Sequence, residues 1–222
     1  MSLNKSLRIE FFEAPAPIAG RVTKFGGSPF WIATPQWPLS RSTGKPMVFL
    51  GQVAIDQDLF PGAWAEMAYV FMSDSPTADI WDPNSGENAV ILQPGSPPAT
   101  VRFEQLREGP TIRKWDQAIA TSSEGPAEFG TTLIPQAEPP YVSAPYEVMS
   151  TEDARDHIAR LVGNKVGGSP VFPQQEEFPF PDWRLLLQLE QILLPFVADF
   201  AMGCCFVFSN ATVSEARLVF QR

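Results

Sequence analysis

Thr23-Lys-Phe-Gly-Gly-Ser-Pro-Phe30 returns, 141 residues later, as Asn164-Lys-Val-Gly-Gly-Ser-Pro-Val171. Paired glycines allow left-handed backbone or a close approach of another segment, and the proline stiffens the exit. Alone, such a stretch suggests a phosphate-type glycine loop; its recurrence suggests an architectural turn used twice. Three further pieces align beside it. Phe49-Leu-Gly-Gln52 matches Leu185-Leu-Leu-Gln188, Tyr69-Val-Phe71 matches Phe206-Val-Phe208, and Glu87 to Gln93 (ENAVILQ) matches Glu215 to Gln221 (EARLVFQ). The offsets drift from 141 through 136 and 137 to 128, as unequal loop lengths produce. Two copies are too few for a solenoid. The expected fold is α+β and predominantly antiparallel β: an internal duplication of two similar β-rich halves packed as one globular unit. Residues 1–137 form the first half, 138–149 a proline-rich connector and 150–222 the second half.

The elements predicted around these pieces are mostly short strands. Leu7 to Phe12, Ala68 to Met72, Ala89 to Leu92, Cys204 to Phe208 and Arg217 to Phe220 are apolar, β-branched or aromatic runs. Met47 to Ile55 is a nearly unbroken apolar run and Ala68 to Met72 a second, which suits strands buried on both faces; Trp183 to Ile192 carries an apolar strand with Gln188 in its middle. Ala99 to Phe103 and Phe129 to Ile134 are expected strands in the middle of the chain; Ile112 to Ala120 fits a strand or a short helix. Ser150 to Val162 is the best helix: Ser150 is placed to cap it, with Asp153 three residues on, and Gly163 ends it.

Composition narrows the function classes. Hydrophobic residues make up 44% and charged residues 18%, enough for a packed core. The 23 prolines, roughly twice the usual ~5%, disfavour long helices. A net charge of −9 without a basic stripe argues against a nucleic-acid partner. No apolar run has the ~18–20 residues that a spanning helix needs, and no signal-peptide core follows Lys5 and Arg8, so no membrane partner is expected. Adjacent Cys204 and Cys205 cannot staple distant segments, which fits a reduced, cytoplasmic protein.

Few residues promise chemistry. His157 is the only histidine, so no His-pair metal site exists, and the two cysteines lack zinc spacing; no metal or cofactor is expected. Asp82-x-Asn84-x-Gly86 lacks the glutamate of a calcium loop and is read as a turn. Ser42-Thr-Gly-Lys45 lacks the setting of either a P-loop or a Ser-x-x-Lys nucleophile. Gln52 and Gln188 are the informative polar residues. Each sits inside an apolar run, where an unpaired amide costs about 1–3 kcal/mol. Each therefore bonds either to the backbone or to a group held where the halves meet. Lys24 and Lys165, beside the glycines, are either solvated at strand ends or part of a symmetric anion site built on backbone N–H groups. The candidate ligand-binding set is Lys24, Gly26, Gly27 and Gln52 with Lys165, Gly167, Gly168 and Gln188.

Lys24-Phe-Gly-Gly-Ser-Pro29, Trp37-Pro38 and Gly44-Lys-Pro-Met-Val-Phe-Leu-Gly-Gln52, with Trp183-Arg-Leu-Leu-Leu-Gln188 and Asp199 to Phe208 (DFAMGCCFVF), resemble the YwqG-like family. The resemblance spans residues 19–221. It implies a bacterial-type, soluble, duplicated α+β protein and supplies no reaction, cofactor or catalytic residue. Some relatives look like immunity or partner proteins of toxin systems. The expected function is non-catalytic binding of a protein partner or small ligand at the seam between halves. The alternatives are a hydrolase-like enzyme using Asp56, Asp58 or Asp199 as general base, and a purely structural duplicated domain.

Overall fold

A computed structural model describes residues 3–116 and 120–222. Its spine is the antiparallel pair of β1 (Asn4–Glu13) and β10 (Glu128–Glu138), in register from Asn4 opposite Glu138 to Glu13 opposite Phe129. β2 (Lys24–Gly26), β4 (Val48–Ala54), β5 (Met67–Met72) and β6 (Asn88–Gln93) extend the sheet from β10. On the other side, β11 (Lys165–Gly167), β12 (Arg184–Glu190), β13 (Cys204–Ser209) and β14 (Ala216–Gln221) extend it from β1. Every neighbouring pair is antiparallel. The ten-stranded sheet curls until its edges, β6 and β14, face each other, making a nearly closed barrel. Trp64 N–H donates to the Thr212 carbonyl across this gap at 2.7 Å, and Arg217 bonds Asn84.

The apolar runs form strands because both of their faces are covered. Inward residues such as Val53, Val70, Leu92, Leu187, Val207 and Phe220 fill the barrel as one core. Outward residues form two separate clusters, around Phe49, Tyr69 and Phe71 in one half and around Leu185, Phe206 and Phe208 in the other. Fully burying one such side chain contributes about 1.5–3 kcal/mol. The loop after each glycine pair covers the outer cluster. Trp31 lies over Tyr69, ring centres 4.6 Å apart, and Phe172 lies over Phe206 at 5.3 Å. Cys204 and Cys205 point to opposite faces, the first into an outer cluster and the second into the barrel.

Two expectations need correction, and an alternative left open between strand and helix resolves as a strand. The Ala99 to Phe103 strand is only β7 (Arg102–Glu104), paired with β3 (Trp37–Leu39). Pro97 and Pro98 precede a turn in which Val101 N–H donates to Pro98, so the strand starts late. Ile112 to Ala120 contains β8 (Arg113–Asp116), paired with β9 (Thr121–Pro126); 117–119 lie outside the described residues. A short helix, α1 (Pro145–Val148), precedes α2 (Thr151–Ala159), which is capped by Ser150 accepting from Asp153 N–H. α2 stops short of Val162 because side chains capture the next carbonyls: Leu161 accepts from Lys165 and Gln188, and Gly163 accepts from Gln188. Among the described residues no helix is long and apolar enough to cross a membrane.

Candidate functional site

The residues singled out around the glycine pairs lie in two buried nooks. Lys24 is 1% exposed, and its ammonium donates to the carbonyls of Ile18 and Ser28 at 2.9 and 2.7 Å and to Glu128 Oε1 at 2.6 Å. Lys165, 2% exposed, donates to the carbonyls of Leu161 and Ser169 at 2.6 Å each and to both oxygens of Glu138 at 3.0 Å. Neither lysine is solvated, and the anion beside each is the protein's own. The glycines make room for it. Gly26, Gly27, Gly167 and Gly168 are all left-handed, with φ between +63° and +81°. A Cβ built on Gly27 falls 2.4 Å from the Glu128 carboxylate, and one built on Gly168 falls 2.2 Å from that of Glu138.

Gln52 and Gln188 use both ends of their amides on backbone. Gln52 accepts from Phe30 N–H at 2.8 Å and donates to the carbonyls of Gly20 and Val22. Gln188 accepts from Val171 N–H at 3.1 Å and donates to the carbonyls of Leu161 and Gly163. Gln93 and Gln221 act alike, accepting from Ala33 and Gln174 and donating to Thr34 and Gln175. These glutamines fasten the loop after each glycine pair over its outer aromatic cluster. None of the eight candidate ligand-binding residues lines any of the four cavities described below.

The two halves meet over open space at one mouth of the barrel. Residues 110–116 cross that mouth as a strap. Phe49 N–H donates to the Pro110 carbonyl at 2.8 Å, and beyond it Trp115 N–H donates to Pro195 and Val197 N–H to Arg113. Phe196, opposite Lys114, plugs the barrel against Phe11, Phe25 and Phe129. Two cavities flank this strap and share Val197, Ala198 and Asp199. One, of about 620 Å³, has an apolar floor of Leu50, Met72 and Ile112 and a charged rim including Asp74, Arg113 and Arg222. The other, of about 520 Å³, is lined by Trp115, Ile192, Leu194, Phe196 and Met202. Its rim is apolar and open: Ile192 is 66% exposed and Met202 71%, with Leu193 beside them at 49%. Ala201 and Met202 are consecutive non-glycine residues in left-handed conformation, φ 50° and 67°. Such backbone costs about 1–2 kcal/mol per residue. Gln191 Oε1 holds the turn, accepting from Phe200 and Met202 N–H at 2.6 and 2.9 Å. A third cavity, of about 520 Å³, opens between β6 and β14. A fourth, of about 550 Å³, lies beside α2.

Two of the three carboxylates weighed as general bases cap turns. Asp56 Oδ1 accepts from Asp58 and Leu59 N–H, and Asp199 Oδ1 accepts from Ala201 N–H. Of the three, only Asp199 borders the mouth. Burial pushes the Cys204 thiol up to about 12 and raises Cys205 well above its ordinary value, so neither is a thiolate near neutrality. Among the described residues no group of three or more His, Cys, Asp or Glu converges to hold a metal.

Ile192, Leu193 and Met202 escaped the sequence reading. The available signal was the apolar run Ile192-Leu-Leu194 continuing past the strand to Pro195, where alternation no longer explains it. No family model and no curated protein matches the chain.

Proposed function

We propose that this chain is a duplicated, non-catalytic binding protein of the YwqG-like kind that captures a protein partner at the barrel mouth. The observation that carries the reading is the hydrogen-bonded turn presenting Ile192, Leu193 and Met202 to solvent beside an apolar cavity. Large apolar side chains clustered on a held, strained turn favour docking, because partner contact removes them from water without ordering a loop. The occupant is a protein segment that inserts an apolar side chain between Trp115 and Met202. An immunity-type role, neutralising a toxin in the cytoplasm, belongs to this class.

Several features support the duplication. Each half repeats the lysine nook, the left-handed glycine pair, the bulge (between Phe49 and Gly51, and between Leu185 and Leu187) and the glutamine fasteners. A structural role for the repeated set leaves the mouth, which has no such repeat, as the part free to specialise.

The test uses wild-type chain and the double variant Ile192→Asp/Met202→Asp, each immobilised and challenged with the products of neighbouring genes. A partner bound by the wild type and lost by the variant, with both equally folded by circular dichroism, supports the reading. A partner bound equally by both overturns it.

A further inference from the structure

β6 and β14 face each other across the gap in the barrel, yet each is paired on one side only and they share no ladder. Their registers show which backbone groups are left over. In an antiparallel pair, alternate residues turn their N–H and C=O towards the partner strand and the residues between turn theirs away. Ser73 N–H donates to the Glu87 carbonyl, so Ala89, Ile91 and Gln93 bond β5 while Asn88, Val90 and Leu92 face the gap. Asn210 N–H donates to the Glu215 carbonyl, so Arg217, Val219 and Gln221 bond β13 while Ala216, Leu218 and Phe220 face the gap. These two sets are matched positions of the repeated sequence pieces, 128 residues apart. The cavity of about 520 Å³ between the edges is lined by Asn88, Val90 and Leu92 from one side and by Ala216 and Leu218 from the other.

We propose that this gap takes up an extended peptide segment of another protein as a strand between β6 and β14. Rows of unpaired N–H and C=O groups are a template for strand addition, and here two such rows border one cavity. The position sets the chemistry of the segment. Val90, Leu92, Leu218 and Phe220 point into the barrel core, so the alternate residues of the segment on that face are apolar. The residues between them meet Ala89, Arg217 and the loop 96–100, where polar side chains are at home. From Asn88 to Leu92 the edge runs about 14 Å, room for four or five residues at ~3.4 Å each. With ten strands and every neighbouring pair antiparallel, β6 and β14 run in opposite directions. The segment therefore pairs antiparallel with one and parallel with the other. One more strand needs edges about 10 Å apart, twice the usual spacing, and the ties that resist parting are few: the Trp64–Thr212 backbone bond, the Arg217–Asn84 bond and the contact of Trp81 with Phe220.

The test reads amide exchange residue by residue in the full chain. In the free protein the Val90, Leu92 and Leu218 amides should exchange about 100-fold faster than those of Ala89, Ile91 and Val219, which bond neighbouring strands. A heptapeptide alternating valine and threonine, flanked by lysines, is then titrated in, beside the same peptide N-methylated at alternate residues. The unmodified peptide should bind saturably and slow exchange at Val90, Leu92 and Leu218 by about tenfold or more, leaving their neighbours unchanged. The N-methylated peptide should do neither. The cavity shares no lining residue with those at the barrel mouth, so Ile192→Asp/Met202→Asp should bind the peptide like wild type; peptide binding lost in that variant assigns the peptide to the mouth and overturns the proposal. Gap-facing amides already as protected as their neighbours, no binding of the unmodified peptide, or equal binding of the N-methylated one also overturns it.

Discussion

Replacing Lys165 with methionine tests whether the glycine-pair nooks hold the fold together. The wild-type ammonium meets two carbonyls and both Glu138 oxygens, and both side chains are 2% exposed. Burial pulls the Lys165 ammonium below its ordinary value while Glu138 works in the opposite direction, as expected for a charge that its partner keeps tolerable. Lys165→Met strands the carboxylate with only Ser6 Oγ and Ser169 N–H as donors. Removing one member of a buried pair typically costs 3–5 kcal/mol, so the expected loss at pH 7 is about 4 kcal/mol. At roughly 2–4 °C per kcal/mol for a chain of this size, melting should fall by about 8–16 °C. The deficit should shrink towards acid, because a proton can neutralise the stranded carboxylate. Lys165→Met/Glu138→Gln should recover most of the loss, since the buried charge is gone while an acceptor for Ser169 N–H remains.

Lys24 provides the internal comparison. Its partner Glu128 has a side chain 13% exposed, against 2% for Glu138. Water can partly compensate the stranded Glu128, so Lys24→Met should cost about 1–3 kcal/mol, less than the Lys165 variant. Urea titrations of wild type, both single variants and the double variant, at pH 7 and pH 5, measure all of these. A Lys165→Met loss under about 1 kcal/mol, or a double variant no more stable than the single, would refute a buried charge pair as what the nook maintains.

Three further expectations concern single groups. Gly27→Ala should destabilise more than Gly62→Ala. Both glycines are left-handed, a cost of about 1–2 kcal/mol for alanine, but a Cβ at Gly62 meets nothing whereas one at Gly27 meets the Glu128 carboxylate; equal urea midpoints would refute this. Burial raises the Glu87 pKa, but hydrogen bonds from Ser73, Ser40 and Ser42 outweigh it and hold the carboxyl below its usual value. Its stabilisation is complete above the unfolded carboxylate range and is lost as pH falls through the folded value; the difference in melting temperature between wild type and Glu87→Gln should narrow over that acid window and stay constant from pH 6 to 8. Cys204 and Cys205, both buried, should resist a thiol-specific disulfide reagent at pH 8 and react fully in denaturant; prompt reaction in the native protein would contradict their burial.

The halves differ in how much of each nook could be read beforehand. Gln52 and Gln188 were legible because an amide inside an apolar run is anomalous by itself, and the glycine pairs because positive φ has few other occupants. The carboxylates were not, since Glu128 lies 104 residues from Lys24 and nothing local marks it. Repetition gave no help, because the second half does not repeat this residue. On β10, Glu128 stands opposite Gly26; at the matching place on β1, opposite Gly167, stands Ser6. Ser6 hands the role across the spine, donating at 2.7 Å to Glu138, which reaches Lys165 from the strand beyond. One strand, β10, therefore supplies the counter-charge to both nooks, from its first and last residues. The repeated sequence pieces are tied to a spine that is not itself matched in sequence, so aligning those pieces reveals the lysines and conceals what neutralises them. The barrel mouth follows the same logic. Its strap and its Ile192 to Met202 turn are unmatched segments, positioned by pairing across the chain rather than by any pattern within it.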